Sequence, residues 1–405
     1  MKDYQFLQQK YILNTYPNRG ITLVKGKGMY LYDESGKKYL DMMSNYGVSI
    51  FGYNHPKINN AINVQLKKLI NLHGSFNSDV RSIAAKELIE RCGNNFSQLY
   101  FSNSGAEAIE AALKFIALTT GKSSKGGSPF GRKKIIACEH SYHGKTLGAL
   151  SLTYGDKYRK PFEPFSWQVE FVKYDDITSL EKTIDSNTAA FILEPVQGEG
   201  GLLTPQKGYL QKVKNLCKKH GILLVFDEIQ SGTGRTGRFL ASQWEEVSSD
   251  ILCLGKGLAG GLPIGATLVT KEIAEKIPRN IHTSTFGGNP LTCAGIITTL
   301  KLLDQKRLSY IQSTGTYFWK KLQTIKSDFV GEIRGKGLMI GLEIKSNKRN
   351  DVLRLLQQNG VLVIPAGETV VRFLAPYIVE KKHIDMVIKV LKEILYVSLS
   401  TGKIE

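Results

Sequence analysis

Acidic residues, cysteine and long apolar runs are all scarce in this 405-residue chain. No apolar stretch nears the ~20 residues that a membrane-spanning helix needs. The longest, Ala189–Leu193 and Gly221–Phe226, fall far short. The opening residues, Met1-Lys2-Asp3-Tyr4-Gln5, lack the apolar core of a secretory signal. These absences predict a soluble, cytoplasmic protein with no membrane partner. The five cysteines (Cys92, Cys138, Cys217, Cys253 and Cys293) are odd in number and never spaced C-x-x-C. No zinc or redox motif follows. They read as small core residues in a reducing compartment. His140 and His143 stand three apart, which alone is weak ground for a metal, and none is predicted. Acids number 36 against 54 Lys plus Arg, a net charge of +18. Such an excess suits a polyanion binder. Yet the cations are scattered, with no block of five and no nucleic-acid signature. The sequence therefore predicts a solvated lysine-rich surface, no nucleic-acid partner, and a site that attracts carboxylates or phosphates.

What is present is a folding composition. Hydrophobic residues make up 42% and charged residues 22%, near the ~25% charge of ordinary soluble proteins. At ~150 residues per domain, the length predicts two or three domains. Short apolar runs recur at Leu99–Phe101, Lys134–Cys138, Ala190–Leu193, Leu223–Phe226, Asp250–Leu254 and Ala266–Val269. Helical spacing lies between several of them, as in Ala108, Ile109, Ala112, Leu113 and Ile116, or Tyr209, Leu210, Val213, Leu216 and Cys217. Continuous apolar runs are how buried parallel strands read, and their alternation with helices argues an α/β fold. From about Gly295 the pattern changes. A helical stretch through 296–326 leads to β-like pieces at Leu338–Ile344, Val361–Ile364 and Val370–Phe373, then a helix from Glu380. This predicts a second, smaller α+β domain. Residues Thr119–Lys134, rich in Gly, Ser and Lys, read as a mobile surface loop.

The chemistry concentrates where strands stop. After Leu99-Tyr100-Phe101 comes Ser102-Asn103-Ser104-Gly105-Ala106-Glu107-Ala108, opening a helix. Small residues there let backbone N–H groups approach a phosphate at the positive helix end; an ordinary Ser/Asn cap reads the same way. The run Ala190–Leu193 ends in Glu194, Leu223–Phe226 in Asp227, and Asp250–Leu254 runs into Gly255-Lys256-Gly257. Ligands of open α/β sheets bind at that carboxyl edge. A lysine and an acid converging there suit pyridoxal phosphate, which needs a lysine for its Schiff base and an acid for its pyridinium nitrogen.

Six motifs then carry a resemblance: Ser102–Ala108 (SNSGAEA), Tyr142–Leu147 (YHGKTL), Glu194–Gly201 (EPVQGEGG), Phe226–Gly234 (FDEIQSGTG), Leu254–Gly261 (LGKGLAGG) and Ser284–Pro290 (STFGGNP). In type and order they resemble the class III (ω-amino) aminotransferases, acetylornithine and ornithine enzymes among them, from about Tyr16 to Ile394. The resemblance implies pyridoxal-phosphate fold type I. That means a large domain with a mostly parallel seven-stranded sheet flanked by helices, plus a smaller α+β domain. It divides the chain into 1–55, feeding the small domain and the substrate site, 56–294, binding the cofactor, and 295–405. It implies that Lys256 is the Schiff-base lysine and Asp227 the pyridinium partner. Gln230 then lies near the ring hydroxyl, Tyr142 stacks on the ring, and Glu194 belongs to the cofactor site. Ser104, Gly105 and Ala106 would cradle the phosphate. Thr285 would reach the phosphate of the partner subunit, which makes a homodimer. The implied reaction is ping-pong, with Lys256 as general base and 2-oxoglutarate as acceptor.

The same resemblance bears on the donor. Arg372 aligns with the arginine that grips the α-carboxylate of glutamate. Glu199 aligns with the glutamate that masks it during the other half-reaction. A switchable Arg–carboxylate pair hides a strong bidentate site until it is needed. Acetylornithine enzymes commonly carry Arg where this chain has Lys145, which keeps the charge and loses the planar fork. Tyr46 stands where ornithine enzymes have a specificity tyrosine, and Tyr16 aligns with a second tyrosine of theirs. N-acetylornithine is set slightly ahead of ornithine; acyl- or carrier-bound lysine and 4-aminobutyrate are the other donors on this scaffold. Aminomutase, racemase or decarboxylase activity is the alternative chemistry, and the Glu199–Arg372 pairing argues against it.

Overall fold

The computed structural model describes residues 3–120 and 131–398. The predicted loop 119–134 falls largely outside them; at its margins Thr119 ends a helix and Lys134 opens a strand.

After a short helix, Tyr4–Tyr11, comes an antiparallel meander of β1 (Leu23–Lys27), β2 (Tyr30–Asp33) and β3 (Lys38–Asp41). Seven further strands follow: β4 (Gln98–Ser102), β5 (Lys134–Cys138), β6 (Gln168–Val172), β7 (Thr188–Leu193), β8 (Leu223–Asp227), β9 (Ile251–Gly255) and β10 (Gly265–Val269). They form one sheet in the order β4-β10-β9-β8-β7-β5-β6. Every pairing among β5 to β9 is parallel, and only β10 runs antiparallel to its neighbours β4 and β9. This is the mostly parallel seven-stranded sheet that the resemblance implies.

Both faces of the sheet are buried, and the period of two shows it. Ile135, Ala137, Ala190, Ile192, Val225, Ile251 and Cys253 face one core, with the helix Gly105–Thr119. Their alternates Ile136, Cys138, Phe191, Leu193, Leu224, Phe226, Leu252 and Leu254 face the other. A strand apolar on both faces reads as a continuous run, which is why these strands are legible in the sequence.

Beyond residue 290 the helical stretch divides. Pro290–Leu302 stops, and Asp304 caps the helix Gln305–Leu322 by accepting the Arg307 N–H at 2.7 Å. Five strands follow: β11 (Val330–Lys336), β12 (Met339–Ile344), β13 (Val361–Leu362), β14 (Ile364–Ala366) and β15 (Val370–Phe373). The order β11-β12-β15-β14 makes a four-stranded sheet, while β13 pairs parallel with β3. The apolar piece 361–364 thus serves two sheets rather than one. β11 was not expected; it is only half-buried and broken by Gly331 and Gly335, so it has no apolar run. The last long helix is Lys381–Glu393. Among the described residues, no helix is long and apolar enough to cross a membrane.

The end of β8 sends two consecutive acids to different partners. Asp227 joins the site described below. Glu228 is fully buried and accepts the N–H groups of Ala241 and Ser242 at 2.5 and 2.9 Å and the Ser231 hydroxyl at 3.2 Å. It anchors the loop that follows Asp227. Glu228→Ala leaves those backbone donors unpaired in the interior, and a loss of about 2–5 kcal/mol is expected. A urea midpoint unchanged from wild type would show that the loop needs no such anchor.

Candidate active site

Three adjacent strands end together, and each delivers one ionisable side chain. β7 runs out into Glu194, β8 ends in Asp227, and β9 ends just before Lys256. Lys256 sits at φ 47°, in the left-handed region. That conformation costs a non-glycine residue about 1–3 kcal/mol and persists only where its surroundings impose it. Burial lowers the Lys256 ammonium below its ordinary range; Glu199 opposes that shift, and the positive charge of Arg372 adds to it.

Asp227 is oriented from two sides. Its Oδ1 accepts the Ile229 N–H at 3.0 Å. Its Oδ2 lies 2.7 Å from Nδ1 of buried His143. The Thr153 hydroxyl receives the His143 N–H at 3.0 Å, while His143 Nε2 is buried with no partner. His143 is the residue the sequence reading set aside. It follows Tyr142 in a recognised motif, but its partner lies 84 residues away, and only the fold joins them.

Glu194 accepts the Tyr142 N–H at 3.0 Å and the Gly198 N–H at 3.1 Å. It thereby ties the segment bearing Tyr142 to the loop bearing Glu199. Burial pushes its carboxyl up to about 7; His143 pulls it down, and the Asp227 charge pushes it further up. Tyr142 is likewise raised by burial, to about 12.

The segment expected to cradle a phosphate lies at the start of the helix Gly105–Thr119. Ser104 caps it, its hydroxyl accepting the Glu107 N–H at 3.2 Å, and Glu107 accepts the Asn103 N–H at 2.5 Å. A Cβ on Gly105 would come within 2.7 Å of the Ile229 side chain. Ala106 follows on the first turn, partly exposed.

Arg372, on β15, is fully buried. Its Nη2 donates to Glu199 Oε1 at 2.8 Å and to the Pro365 carbonyl at 3.1 Å, and its Nη1 donates to Gln230 Oε1 at 2.8 Å. Gln230 is thus engaged with Arg372. Burial works against ionising Glu199, but Arg372 and Lys256 outweigh it and hold the carboxyl below its ordinary range.

Tyr46 faces Arg372, the guanidinium 5.9 Å from its ring centre. Tyr16 is 81% exposed and shares with Tyr46 a cavity of about 580 Å³ that also meets Arg19 and Arg354. Lys145 lies over the Tyr158 ring, Nζ 3.5 Å from its centre and 5.4 Å from that of Tyr142. Burial and the Lys157 charge lower its ammonium. Thr285 is exposed, beside exposed Phe286.

Glu194 gives a pH signature. Its carboxyl is raised above the ordinary value of 4.5 in the folded chain, so it stabilises the fold below that value. The contribution is lost as pH rises through about 7. The melting temperature of the cofactor-free protein is expected to fall across that window, and Glu194→Gln to flatten the slope. An identical slope in the variant would remove Glu194 as its source.

Comparison with known proteins points the same way as this geometry. Residues 11–395 match the family described as Aminotransferase class-III. The chain is 39% identical over 386 residues to the acetylornithine aminotransferase of Aquifex aeolicus, covering 95% of this chain and all of that one. It is 39% identical over 376 residues to the [LysW]-aminoadipate semialdehyde/glutamate semialdehyde transaminase of Sulfurisphaera tokodaii, covering 92% and 94%. The crystal structure of the ornithine aminotransferase from Toxoplasma gondii superposes with a TM-score of 0.92 at 34% identity, covering 98% of this chain and 96% of that one. With a family match along nearly its whole length and relatives of this closeness, the chain belongs to the class III aminotransferases.

Proposed function

We propose that the protein transfers the ω-amino group of N-acetylornithine, or of a closely similar ω-amino acid, to 2-oxoglutarate. The products are a semialdehyde and glutamate. The observation that carries this reading is Arg372, a buried guanidinium masked by the carboxylate of Glu199. One site must serve a donor and a dicarboxylate in turn. While Glu199 is in place, Arg372 is neutralised and the donor binds without it. When Glu199 turns away, the guanidinium offers its fork to the carboxylate of the oxo acid.

The family's cofactor is pyridoxal phosphate, and the residues present fit it. A partly buried lysine and an oriented carboxylate stand at neighbouring strand ends, and Gly105 at the helix start lies so close to Gly255, the residue before that lysine, that a Cβ on Gly255 would sit 3.3 Å from its backbone. When bound, the cofactor supplies the electron sink and carries the amino group between the half-reactions. Lys256 holds the cofactor, and its lowered ammonium favours the neutral amine that accepts a proton from the donor carbon. Asp227, steered by His143, holds a proton at the ring nitrogen. Ser104, Gly105 and Ala106 present hydrogen-bond donors to the phosphate at a helix start. Tyr142 would cover the ring and Gln230 would lie near its hydroxyl, while Glu194 ties the backbone of Tyr142 to that of Gly198. Lys145 meets the donor carboxylate as a point charge.

The assembly in this reading is a homodimer in which Thr285 reaches the partner's cofactor phosphate. Its exposure beside Phe286 supports that. The divisions 1–55, 56–294 and 295–405 are the corresponding domains. Five buried free cysteines suit the cytoplasm. A second reading, ornithine itself, is favoured by the contact of Tyr46 with Arg372 and by the cavity it shares with Tyr16.

The deciding experiment is a half-reaction. N-acetylornithine, ornithine, acetyl-lysine and 4-aminobutyrate are added singly, without oxo acid, to the holoenzyme, and the visible band of the Lys256-bound cofactor is followed. N-acetylornithine is expected to discharge it fastest, and Lys256→Ala to lose at least about a hundredfold in turnover. A band that no donor moves overturns the substrate class, and normal turnover in Lys256→Ala overturns the lysine. Tyr46→Ile is expected to lower kcat/KM for ornithine about tenfold relative to 4-aminobutyrate, roughly 1.4 kcal/mol. Equal ratios before and after would leave Tyr46 a structural residue.

A further inference from the structure

Arg235 is the other fully buried arginine, and nothing in the chemistry above uses it. Its Nη1 donates to the carbonyls of Leu338 at 3.1 Å and Ala375 at 2.6 Å, and Leu338 N–H donates back to the Arg235 carbonyl at 3.1 Å. These two acceptors have a definite place. β12 and β15 pair Ile340 with Phe373 and Gly341 with Arg372. Continued by two residues, that register sets Leu338 opposite Ala375. The ladder stops short of them, and the guanidinium bridges the two carbonyls instead. Arg235 thus clamps the open end of the strand pair that carries Arg372. Tyr377 closes the clamp, its ring 4.7 Å from the guanidinium and its hydroxyl donating to the Thr233 carbonyl at 2.8 Å.

The segment beyond β15 is held from a second side. The Ser44 hydroxyl donates to the Leu374 carbonyl at 2.5 Å, and Leu374 N–H donates to the Met42 carbonyl at 2.8 Å. Ser44 begins three consecutive left-handed residues, Ser44, Asn45 and Tyr46, at φ 48°, 47° and 59°. Such a run is costly and must be imposed by its surroundings. Buried Asp41 imposes it: Oδ1 accepts the Met43 and Ser44 N–H groups at 2.8 and 3.0 Å, and Oδ2 accepts the Tyr53 hydroxyl at 2.7 Å. Arg235 and Arg19 both act on the Asp41 charge through the interior.

We propose that Arg235 and Asp41 are a pair of positioning residues that hold the two substrate-recognising elements in one register. Arg235 fixes the strand of Arg372, and Asp41 fixes the turn of Tyr46. The two elements meet where the Ser44 hydroxyl donates to the Leu374 carbonyl, one residue before the Ala375 carbonyl that Arg235 holds. Neither touches substrate or cofactor. This inference rests on the proposed role of Arg372 as the carboxylate grip.

The test uses the holoenzyme and the glutamate half-reaction, followed by loss of the visible cofactor band. In Arg235→Lys the glutamate concentration for half-saturation is expected to rise about tenfold to hundredfold. The limiting rate and the starting spectrum should stay within about threefold and unchanged, respectively. In an Arg372→Lys background the same substitution should add almost nothing, because its target is already lost. Asp41→Asn should raise half-saturation in the same direction and also shift the ratio of kcat/KM for ornithine and 4-aminobutyrate. Independent, fully additive effects of Arg235→Lys and Arg372→Lys overturn the inference, as does a lowered limiting rate with unchanged half-saturation. Should Arg235→Lys not fold, Asp41→Asn and Tyr377→Phe are read in the same assay, and normal half-saturation in both overturns it. Normal half-saturation in Arg372→Lys alone overturns instead the proposed role of Arg372.

Discussion

A guanidinium cannot be left bare inside a protein; it must be given acceptors and a counter-charge. Much of the site follows from meeting that demand at Arg372. Glu199 supplies the charge, Gln230 and the Pro365 carbonyl supply acceptors, and these come from the loop after β7, the loop after β8 and β14. The approach is tight enough that a Cβ on Gly198 would lie 2.0 Å from the Gln230 amide oxygen. One buried cation therefore dictates where two catalytic-edge loops run and why a glycine stands between them.

The two glutamates of the β7 loop show how far surroundings outrank residue type. Glu194 and Glu199 are five positions apart, yet they shift in opposite directions. Burial and the repelling charge of Asp227 make Glu194 retain its proton to near neutrality, against the pull of His143 and two backbone N–H groups. Glu199 is only partly buried, and the charges of Arg372 and Lys256 keep its carboxyl below the ordinary range. A carboxyl that keeps its proton and one held ionised against Arg372 thus come from one short loop, by the same physics that separates paired carboxylates elsewhere.

The large sheet was legible because its strands are apolar on both faces and end in conspicuous residues. Glu194, Asp227 and Lys256 could be placed at one edge from the runs before them. The pairing of Glu199 with Arg372 was not legible; it came through resemblance, since 173 residues separate the two. His143 was visible but had no partner in sequence. β11 carried no apolar run, and 361–364 looked like one strand because hydrophobicity does not record which sheet a residue joins. The left-handed turn at Ser44–Tyr46 was illegible too, because it is stabilised by Asp41 and Leu374 rather than by glycine. Local pattern reports burial well, and it says little about a contact made by two distant parts of the chain.

The parallel pairing of β3 with β13 joins Leu40 to Val361 and Asp41 to Leu362. A ribosome adding roughly 5–20 residues per second needs on the order of tens of seconds to make the chain between them. Through that interval β3 has an open edge, and the turn that presents Tyr46 lacks the Leu374 carbonyl it leans on. The large sheet, by contrast, has all its strands by residue 269. The large sheet can therefore close while the nascent chain is still being made, and the meander with the turn of Tyr46 is sealed only as synthesis ends.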